Sequence, residues 1–428
     1  MWVERHRAAD IDLYRSGAPS RTVQLVIDCF WIAFFIVACH GASRLRHLGI
    51  ERLAWLAADF VALTFILLRP DAVIRLLRQN LILVSWPLLA CASAFWSLTP
   101  AYSFYHGVQL FLTVLVGLCL TLTASLRHIL VLLFVAITVT AMLSLAMVAI
   151  SPWTAIDRSG EWLGVYTHKN VLGNMMGVMA ITGVALFLSG WRPLVSGGGV
   201  VLALGLLALS RSGTAIVALA AVLALVPLLF TVTRGTLFVA LAAGLALMAI
   251  AAAFGIFAML DINPYTYGLE ALGKDETLTG RTILWEFAVD AFQERPWLGY
   301  GYKGWWESAE TDAGLLRFVV QQDLWFFHNT FLDLAVAFGI WGPIFLVMGL
   351  GVGVYRTVAA YAARRDPLLL WPIQYVALSI IYCSVDFVLF TNHSFGQMLF
   401  VIAVTAQMSS SQRETFEHSG PQFAQQQR

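Results

Sequence analysis

The stretch HILVLLFVAITVTAMLSLAMVAI, residues 128–150, decides the class of fold. It contains no Asp, Glu, Lys or Arg, and it exceeds the roughly 20 apolar residues that an α-helix needs to cross a bilayer. About a dozen such runs lie along the 428 residues, of which 59% are hydrophobic and 12% charged, with a mean hydropathy of +0.77. Soluble proteins carry about 25% charged residues. The sequence therefore predicts an all-α, polytopic integral membrane protein with about 12 transmembrane helices.

The predicted spans divide the chain into three parts. Residues 1–22 form a cytoplasmic N-terminal segment, residues 23–408 the polytopic membrane domain, and the polar residues 409–428 a disordered cytoplasmic tail. The last run is short, which leaves open an eleven-span chain with a re-entrant end. The predicted spans are residues 23–41, 50–68, 80–96, 104–124, 128–150, 171–189, 194–210, 212–231, 236–260, 329–355, 368–390 and 396–408.

The distribution of Lys and Arg favours a cytoplasmic N terminus. With that orientation the inner segments hold 15 of these residues, the short outer loops six and the one long outer loop five. The first outer loop departs from this bias, because it contains Arg44, Arg46 and Arg52. Since 26 Lys and Arg oppose 25 Asp and Glu, the overall charge gives no indication of a nucleic-acid partner.

One connection, residues 261–328, is far longer than the others, which have roughly 3 to 20 residues. It is rich in Trp and Phe, so we expect it to pack on the outer membrane surface or to fold as a cap. Within it the sequence predicts an amphipathic helix from Arg281 to Glu294, ended by Pro296. Arg281 would lie near the N terminus of this helix, where unpaired N–H groups favour an anion.

Three ionisable residues at the predicted outer face each have two interpretations. Arg211, in the turn SRSG, either extends to the membrane interface or binds a lipid phosphate with its guanidinium. The same alternatives apply to Arg281. His328, in WFFHN, is either a hydrogen-bonded structural residue or a base, since a neutral imidazole can take a proton from a sugar hydroxyl near pH 7.

Other polar residues near the predicted span ends allow both structural and functional roles. His168, Lys169 and Asn170 either cap a membrane helix or contribute Lys169 as a third cation. Asp333 lies one turn below Asn329, which favours a packing hydrogen bond. For two further acids inside predicted spans, we expect pairing between helices; these are Asp28 and Asp59.

Several familiar catalytic patterns are absent from the sequence. It contains no HExxH or P-loop, its DxD at residues 10–12 lies in the predicted cytoplasmic N-terminal segment, and the GxGxxG spacing of GYGYKG (299–304) follows no predicted strand, which disfavours metal and nucleotide chemistry. The five cysteines all fall in apolar runs without metal-binding spacing. The outer face instead gathers two Arg, a His and a Lys, a set that suits a dianionic leaving group and a hydroxyl nucleophile.

Taken in order, these motifs resemble the O-antigen ligase and Wzy-type polymerase superfamily over roughly residues 80–400. The segment FWSLTPAYS, residues 95–103, looks like the Trp-Ser signature of that superfamily, and HKN looks most like its ExoQ-type exopolysaccharide polymerase branch. The remaining motifs are SRSG (210–213), GRTILW (280–285), PWLGYGYKGWW (296–306) and HNTFLDLAVAFGIWG (328–342).

The resemblance implies a glycosyltransferase of the bacterial inner membrane. It would move an oligosaccharide from undecaprenyl diphosphate to an acceptor hydroxyl on the periplasmic side, without a metal or other cofactor. Arg211 and Arg281 would bind the diphosphate, and His328 would be the general base. Implied partners are membrane lipid and a chain-length regulator or export complex, but no nucleic acid. The implied substrate-binding residues are His168, Lys169, Asn170 and Asn329.

One position departs from the pattern of the superfamily. The segment FYHG, residues 104–107, lacks a basic residue that we expect there, and His106 stands in its place. The inventory of the donor pocket therefore stays open at this position.

Four functions compete at this point. The first is a polymerase, and an O-antigen ligase with a lipid A core acceptor would use the same chemistry. A polyprenyl-phosphate-sugar glycosyltransferase would be expected to carry acidic residues in the first outer loop, and residues 41–49 have none. A transporter or flippase would place polar sites near the bilayer midplane and often shows a repeat, whereas here the basic residues gather at one edge.

Overall fold

The computed structural model describes residues 20–41, 43–232, 281–321, 323–386 and 388–406. Regular structure in these ranges is helical apart from one isolated bridge between Ile156 and Trp162. The all-α prediction is confirmed. The longer helices are α1 Arg21–Ile36, α2 Ile50–Leu68, α3 Pro70–Gln79, α4 Leu81–Ala92, α5 Pro100–Thr123, α6 Leu126–Ile150, α7 Lys169–Leu188, α8 Pro193–Ser210, α9 Gly213–Val232, α10 Arg281–Glu294, α11 Ala313–Val320, α12 Thr330–Phe338, α13 Trp341–Arg364, α14 Leu370–Cys383 and α15 Phe395–Thr405.

Six helices of the described residues are long and apolar enough to cross a membrane. They are α5, α6, α7, α8, α13 and the continuous segment Arg21–Gly41 that contains α1. A seventh arises if α3 and α4, bent by 93°, count as one broken span. The predicted span 236–260 lies outside the described residues. The polytopic class is therefore confirmed, while the number of 12 spans and the placement of a periplasmic loop stay predictions.

The predicted span 329–355 is two helices in the structure, α12 and α13. Gly339 separates them with φ +62 and ψ −148, a backbone conformation that a side chain would strain. A Cβ at this glycine would also lie 2.4 Å from the carbonyl carbon of Trp297. The long connection approaches here, because Tyr300 and Gly301 donate their N–H groups to the last carbonyls of α12, Val336 and Ala337, at 2.9 Å each. These hydrogen bonds satisfy the last carbonyl groups of α12 and explain why the helix ends before Gly339.

Close helix packing occurs where the sequence places small residues among the apolar runs. In α8, the stretch SGGGVV contains Gly199, whose Cβ would lie 2.2 Å from the ring of Phe134 on α6. In α13, Gly349 faces Trp86 of α4 in the same way, at 2.0 Å. Glycine at these two positions lets an aromatic ring approach the helix backbone.

Both acids that the sequence places within spans are paired: Asp28 pairs between helices as predicted, and Asp59 pairs with a histidine in the turn before α15. On α2, the Asp59 carboxylate lies 3.0 Å from Nε2 of His393, and on α1, the Asp28 carboxylate lies 2.9 Å from Nε2 of His128 on α6. Such pairs satisfy polar groups that would otherwise be costly among apolar helices.

Residues 93–103 and 298–304 form a structure that we call the clasp. Trp96 donates its indole N–H to the carbonyl of Leu298 at 2.7 Å, and Ser103 donates its hydroxyl to the carbonyl of Tyr302 at 2.8 Å. Gly301 has φ +84, and a Cβ there would lie 2.3 Å from the Cβ of Ser97. The Trp-Ser signature and the GYGYKG stretch, about 200 residues apart, are thus one unit.

The described part of the long connection has its own apolar core. The helix predicted from Arg281 to Glu294 is confirmed as α10, and three residues of its apolar stripe are buried: Leu284, Ala288 and Ala291. They join Trp305, Trp306, Phe327 and Val336 in one cluster. The apolar stripe therefore packs on the protein, against α12 and the residues around it.

Candidate active site

The HKN and SRSG motifs meet in the structure. Ser212 donates its hydroxyl to the side-chain oxygen of Asn170 at 2.9 Å, and the backbone N–H of Asn170 bonds Nδ1 of His168 at 3.1 Å. His168 thereby caps α7, while Arg211 occupies the turn between α8 and α9. The capping interpretation is confirmed for His168, while the side chain of Asn170 bonds Ser212 instead of capping the helix. A part in substrate binding stays a prediction for both.

Arg211 holds its guanidinium near the surface with few contacts. Its backbone is in the left-handed region, with φ +50, a conformation that is uncommon for residues other than glycine and is often found at functional sites. Nη1 makes one long hydrogen bond, 3.4 Å, to the carbonyl of Ser159, and the side chain is exposed. Most of the five N–H donors of this guanidinium are therefore available to a ligand.

Lys169 differs from the sequence expectation in its electrostatic environment. Its ammonium forms an ion pair with the carboxylate of Glu161, in the loop between α6 and α7. The pairing neutralises the charge that a third cation would bring to an anion. Glu161 is eight residues before Lys169, too far for helical spacing to reveal the contact from sequence.

His328 lies beside a carboxylate that sequence spacing did not predict. Its Nδ1 is 3.5 Å from Oδ1 of Asp386, and this nitrogen is buried without a hydrogen-bond partner among the described residues. His328 also has a left-handed backbone, φ +54, and its ring meets that of Phe326 edge to face at 4.5 Å. A carboxylate beside one ring nitrogen favours a proton there and leaves the other nitrogen, Nε2, able to accept one.

Asn329 and Thr330 place Asp386 beside His328. The side-chain oxygen of Asn329 accepts hydrogen bonds from the N–H groups of Phe331 and Leu332, and its amide donates to the carbonyl of Ser384 at 3.2 Å. Thr330 donates its hydroxyl to the carbonyl of Asp386 at 2.8 Å. The start of α12 thus holds the segment that follows α14. Asn329 is an N-cap in the structure, and its predicted contact with substrate stays untested.

Arg281 and His168 belong to the same electrostatic neighbourhood. Burial lowers the pKa of Arg281, while the charge of Asp386 acts in the opposite direction. Burial and the adjacent Lys169 lower the pKa of His168, which also experiences the charges of Asp386 and His328. The structure therefore brings the HKN motif, the start of α10 and the start of α12 into one region.

Asp333 and His106 both have partners inside the protein. Both carboxylate oxygens of Asp333 accept from the backbone N–H of Phe327, at 3.1 and 3.0 Å, which confirms the predicted packing role. His106 lies near two amides: its Nδ1 is 2.8 Å from Oε1 of Gln109 and 3.1 Å from Nδ2 of Asn392. The described residues contain no cluster of three or more His, Cys, Asp or Glu that could hold a metal ion.

The assembled groups define a class of chemistry. Two guanidiniums can bind an anion that gains negative charge, and an imidazole with a neighbouring carboxylate can remove a proton from a hydroxyl. The fold and this set of groups describe a multi-pass membrane protein equipped for group transfer from an anionic leaving group.

Comparison with known proteins agrees with this class. Residues 198–347 match the family model described as O-Antigen ligase, Wzy_C. The chain is also 28% identical, over 326 residues and 74% of each chain, to the exopolysaccharide production protein ExoQ of Rhizobium meliloti (strain 1021). The resemblance to O-antigen ligases and ExoQ-type proteins is thus confirmed. It supports a role in glycan transfer of the polymerase or ligase type.

Proposed function

We propose that this protein is a polysaccharide polymerase that transfers an oligosaccharide from undecaprenyl diphosphate to a sugar hydroxyl of a lipid-linked repeat. The observation that carries the proposal is the pairing of His328 with Asp386 beside Arg281, in a chain similar to ExoQ. The reaction takes place at the periplasmic face of the bacterial inner membrane and needs no metal or other cofactor.

Arg211 and Arg281 bind the diphosphate of the donor. Because the sugar–oxygen bond breaks with its electron pair on the diphosphate, negative charge grows there in the transition state. Guanidiniums held in place by the protein are then more favourable for the transition state than for the bound donor. Arg211, with its single long contact to Ser159, has its donors available for phosphate oxygens.

His328 is the general base. Its Nε2 takes the proton of the acceptor hydroxyl as the oxygen attacks the anomeric carbon, and the diphosphate leaves from the opposite face. Asp386 orients the imidazole through the Nδ1 side and stabilises the imidazolium that forms. Direct displacement of this kind inverts the anomeric configuration, and a product of retained configuration would contradict it.

Four further residues and two kinds of partner complete the proposal. The donor passes four polar residues on its way to the arginines and His328. They are His168, Lys169, Asn170 and Asn329. A chain-length regulator or an export complex binds the membrane helices and receives the product.

The test uses the purified protein in detergent with EDTA. The lipid-linked repeat of the host is the only substrate, and the product is separated on a gel. We expect a ladder that is lost in His328→Ala and retained in His47→Ala, because His47 is exposed in the turn that precedes α2. Product that forms only after addition of a lipid A core would make the protein an O-antigen ligase. If no glycan is transferred, the protein is reconstituted into sealed lipid vesicles, and movement of the lipid-linked repeat across the bilayer would make it a flippase.

A further inference from the structure

A pocket lies between the clasp and α12, and the residues that line it are distinct from those proposed to bind the donor. Its empty volume, including its open mouth, is about 350 Å³. Neither arginine of the donor site lines it, and neither does any residue of the HKN motif. The lining combines one cation, one carboxylate and aromatic rings, and it comprises Gly301, Tyr302, Lys303, Trp305, Trp306, Trp325, Asp333, Leu334, Val336 and Ala337.

Lys303 is held in this pocket by the clasp. Its backbone is left-handed, with φ +60, and its Nζ lies 5.9 Å from the ring centroid of Tyr302. Among the described residues no oxygen accepts a hydrogen bond from this ammonium. Burial lowers the pKa of Lys303 to about 8, an effect that the charge of Asp333 opposes. A partly desolvated cation without an acceptor is costly unless a ligand provides one.

Asp333 connects the pocket to the candidate base. Its carboxylate lines the pocket and accepts from the N–H of Phe327, the residue before His328. Each carboxylate oxygen can accept more than one hydrogen bond, so Asp333 can also receive a hydrogen bond from a ligand. Lys303 is the single cation among the residues that line the pocket. The pocket is therefore poorly suited to a diphosphate and better suited to a neutral ligand with several hydroxyls.

The aromatic residues supply apolar walls with one accessible ring. Trp305 and Trp306 are almost fully buried and pack on Phe327, with ring centroids 4.9 and 4.6 Å from it. Trp325 is 46% exposed, and the guanidinium of Arg317 lies 4.1 Å from its ring centroid. A flat aromatic surface near a few polar groups is typical of sites that orient an amphipathic ligand, and the C–H face of a sugar ring is apolar.

We propose that this pocket binds a sugar ring of the acceptor, with Lys303 donating to a ring hydroxyl, Asp333 accepting from another, and Trp325 contacting the ring face. This inference rests on the proposed function, because it assigns the pocket to the substrate whose hydroxyl His328 deprotonates. The donor is excluded because the two arginines proposed to bind it lie outside the pocket.

The experiment separates acceptor binding from transfer. The acceptor probe is the free repeat oligosaccharide, labelled with a fluorophore at its reducing end, and the donor is the lipid-linked repeat at saturating concentration. We expect Lys303→Met and Trp325→Ala each to raise the KM for the labelled acceptor about tenfold. We expect kcat to change less than about threefold, since neither residue touches the reacting atoms.

Two control variants test whether the loss of any cation or of any tryptophan has the same effect. Arg52→Met removes an exposed cation on α2, and Trp297→Ala removes a tryptophan that is 72% exposed. Both should leave KM and kcat unchanged. An unchanged acceptor KM in Lys303→Met and Trp325→Ala would overturn the inference. A rise confined to the KM of the donor, or loss of kcat alone, would also overturn it.

Equilibrium binding distinguishes failure of the inference from failure of the proposed function. Fluorescence anisotropy reports binding of the same labelled oligosaccharide in the absence of donor. If Lys303→Met loses binding, the proposed role of the pocket is supported even if the wild-type protein transfers no glycan. In that case only the proposed function fails. Equal binding by wild type and both variants would overturn the pocket whatever the transfer activity.

Discussion

Arg44 and Arg211 both contact the loop between α6 and α7, and they do so in opposite ways. Arg44 donates through Nη2 to the carbonyls of Thr154, Gly164 and Tyr166 at 2.6, 3.0 and 3.0 Å. Within the described part of the chain, Arg211 makes a single hydrogen bond, of 3.4 Å, to the carbonyl of Ser159, and its side chain is exposed. One guanidinium is therefore part of the fold, and the other is available to a ligand.

The difference explains an anomaly in the distribution of charges. The predicted first outer loop contains three arginines, which runs against the predicted bias of Lys and Arg toward the inner side. Arg44 contributes to this excess because it satisfies three carbonyls of a neighbouring loop. The number of arginines in a loop therefore includes arginines with three different roles: to orient the chain in the membrane, to stabilise a loop, or to bind a ligand. The hydrogen-bond partners of each arginine show which of these roles it has.

The largest effect that we predict concerns Arg211. Arg211→Ala should lower kcat/KM for glycan transfer by about 10²- to 10³-fold, the usual consequence of removing one donor to a developing anion. The thermal midpoint of unfolding should stay within a few degrees of wild type, because only one weak hydrogen bond is lost. Transfer assays and differential scanning fluorimetry on the purified protein measure the two quantities. Near-normal transfer would remove Arg211 from the donor site.

Arg44→Ala should show the reverse pattern. Three carbonyls lose their donor, and each unsatisfied buried acceptor costs about 1–3 kcal/mol, so the variant should unfold at lower temperature or denaturant concentration. Activity per folded molecule should remain within about twofold of wild type. Arg44→Lys tests the geometry, since lysine lacks the second donor nitrogen, Nε, which bonds the carbonyl of Gly164 at 3.3 Å. If Arg44→Ala were as stable as wild type, Arg44 would not stabilise the fold, and the proposed difference from Arg211 would be wrong.

A smaller effect is expected at the carboxylate beside His328. Asp386→Asn keeps the shape of the side chain but removes the charge that stabilises the imidazolium, so kcat should fall about tenfold. Transfer assays on the purified variant and on wild type measure kcat. An unchanged kcat would remove Asp386 from the site.

The smallest predicted effect concerns pH and the pocket at Lys303. Because the pKa of Lys303 is about 8, its ammonium is charged below that pH and loses its proton above it. The KM for the acceptor should therefore rise about fivefold between pH 7 and pH 9. The groups that face Lys303 are Asp333 and His106, and neither supplies a compensating cation in this range. In Lys303→Met the acceptor KM should not vary with pH.

The elements that could be predicted are those that depend on local pattern. Residues 50–68 were predicted as one helix, and α2 has the same bounds because the apolar run and its ends are local properties. The helix Arg281–Glu294 was predicted from its apolar stripe and Pro296. The break at Gly339 was not predicted, because it depends on the docking of residues 296–301 onto the end of α12.

By itself the sequence determined the membrane class, the helices and the candidates His328, Arg211 and Arg281, since hydropathy and motif order are properties of the chain alone. Only the tertiary structure decided which charges are paired. Asp386 lies beside His328 although 58 positions separate them in the sequence. Glu161 forms an ion pair with Lys169, and Arg44 donates its hydrogen bonds to loop carbonyls. The physical reason is that a side chain's partners are set by helix packing in three dimensions, and the availability of a charged group depends on those partners.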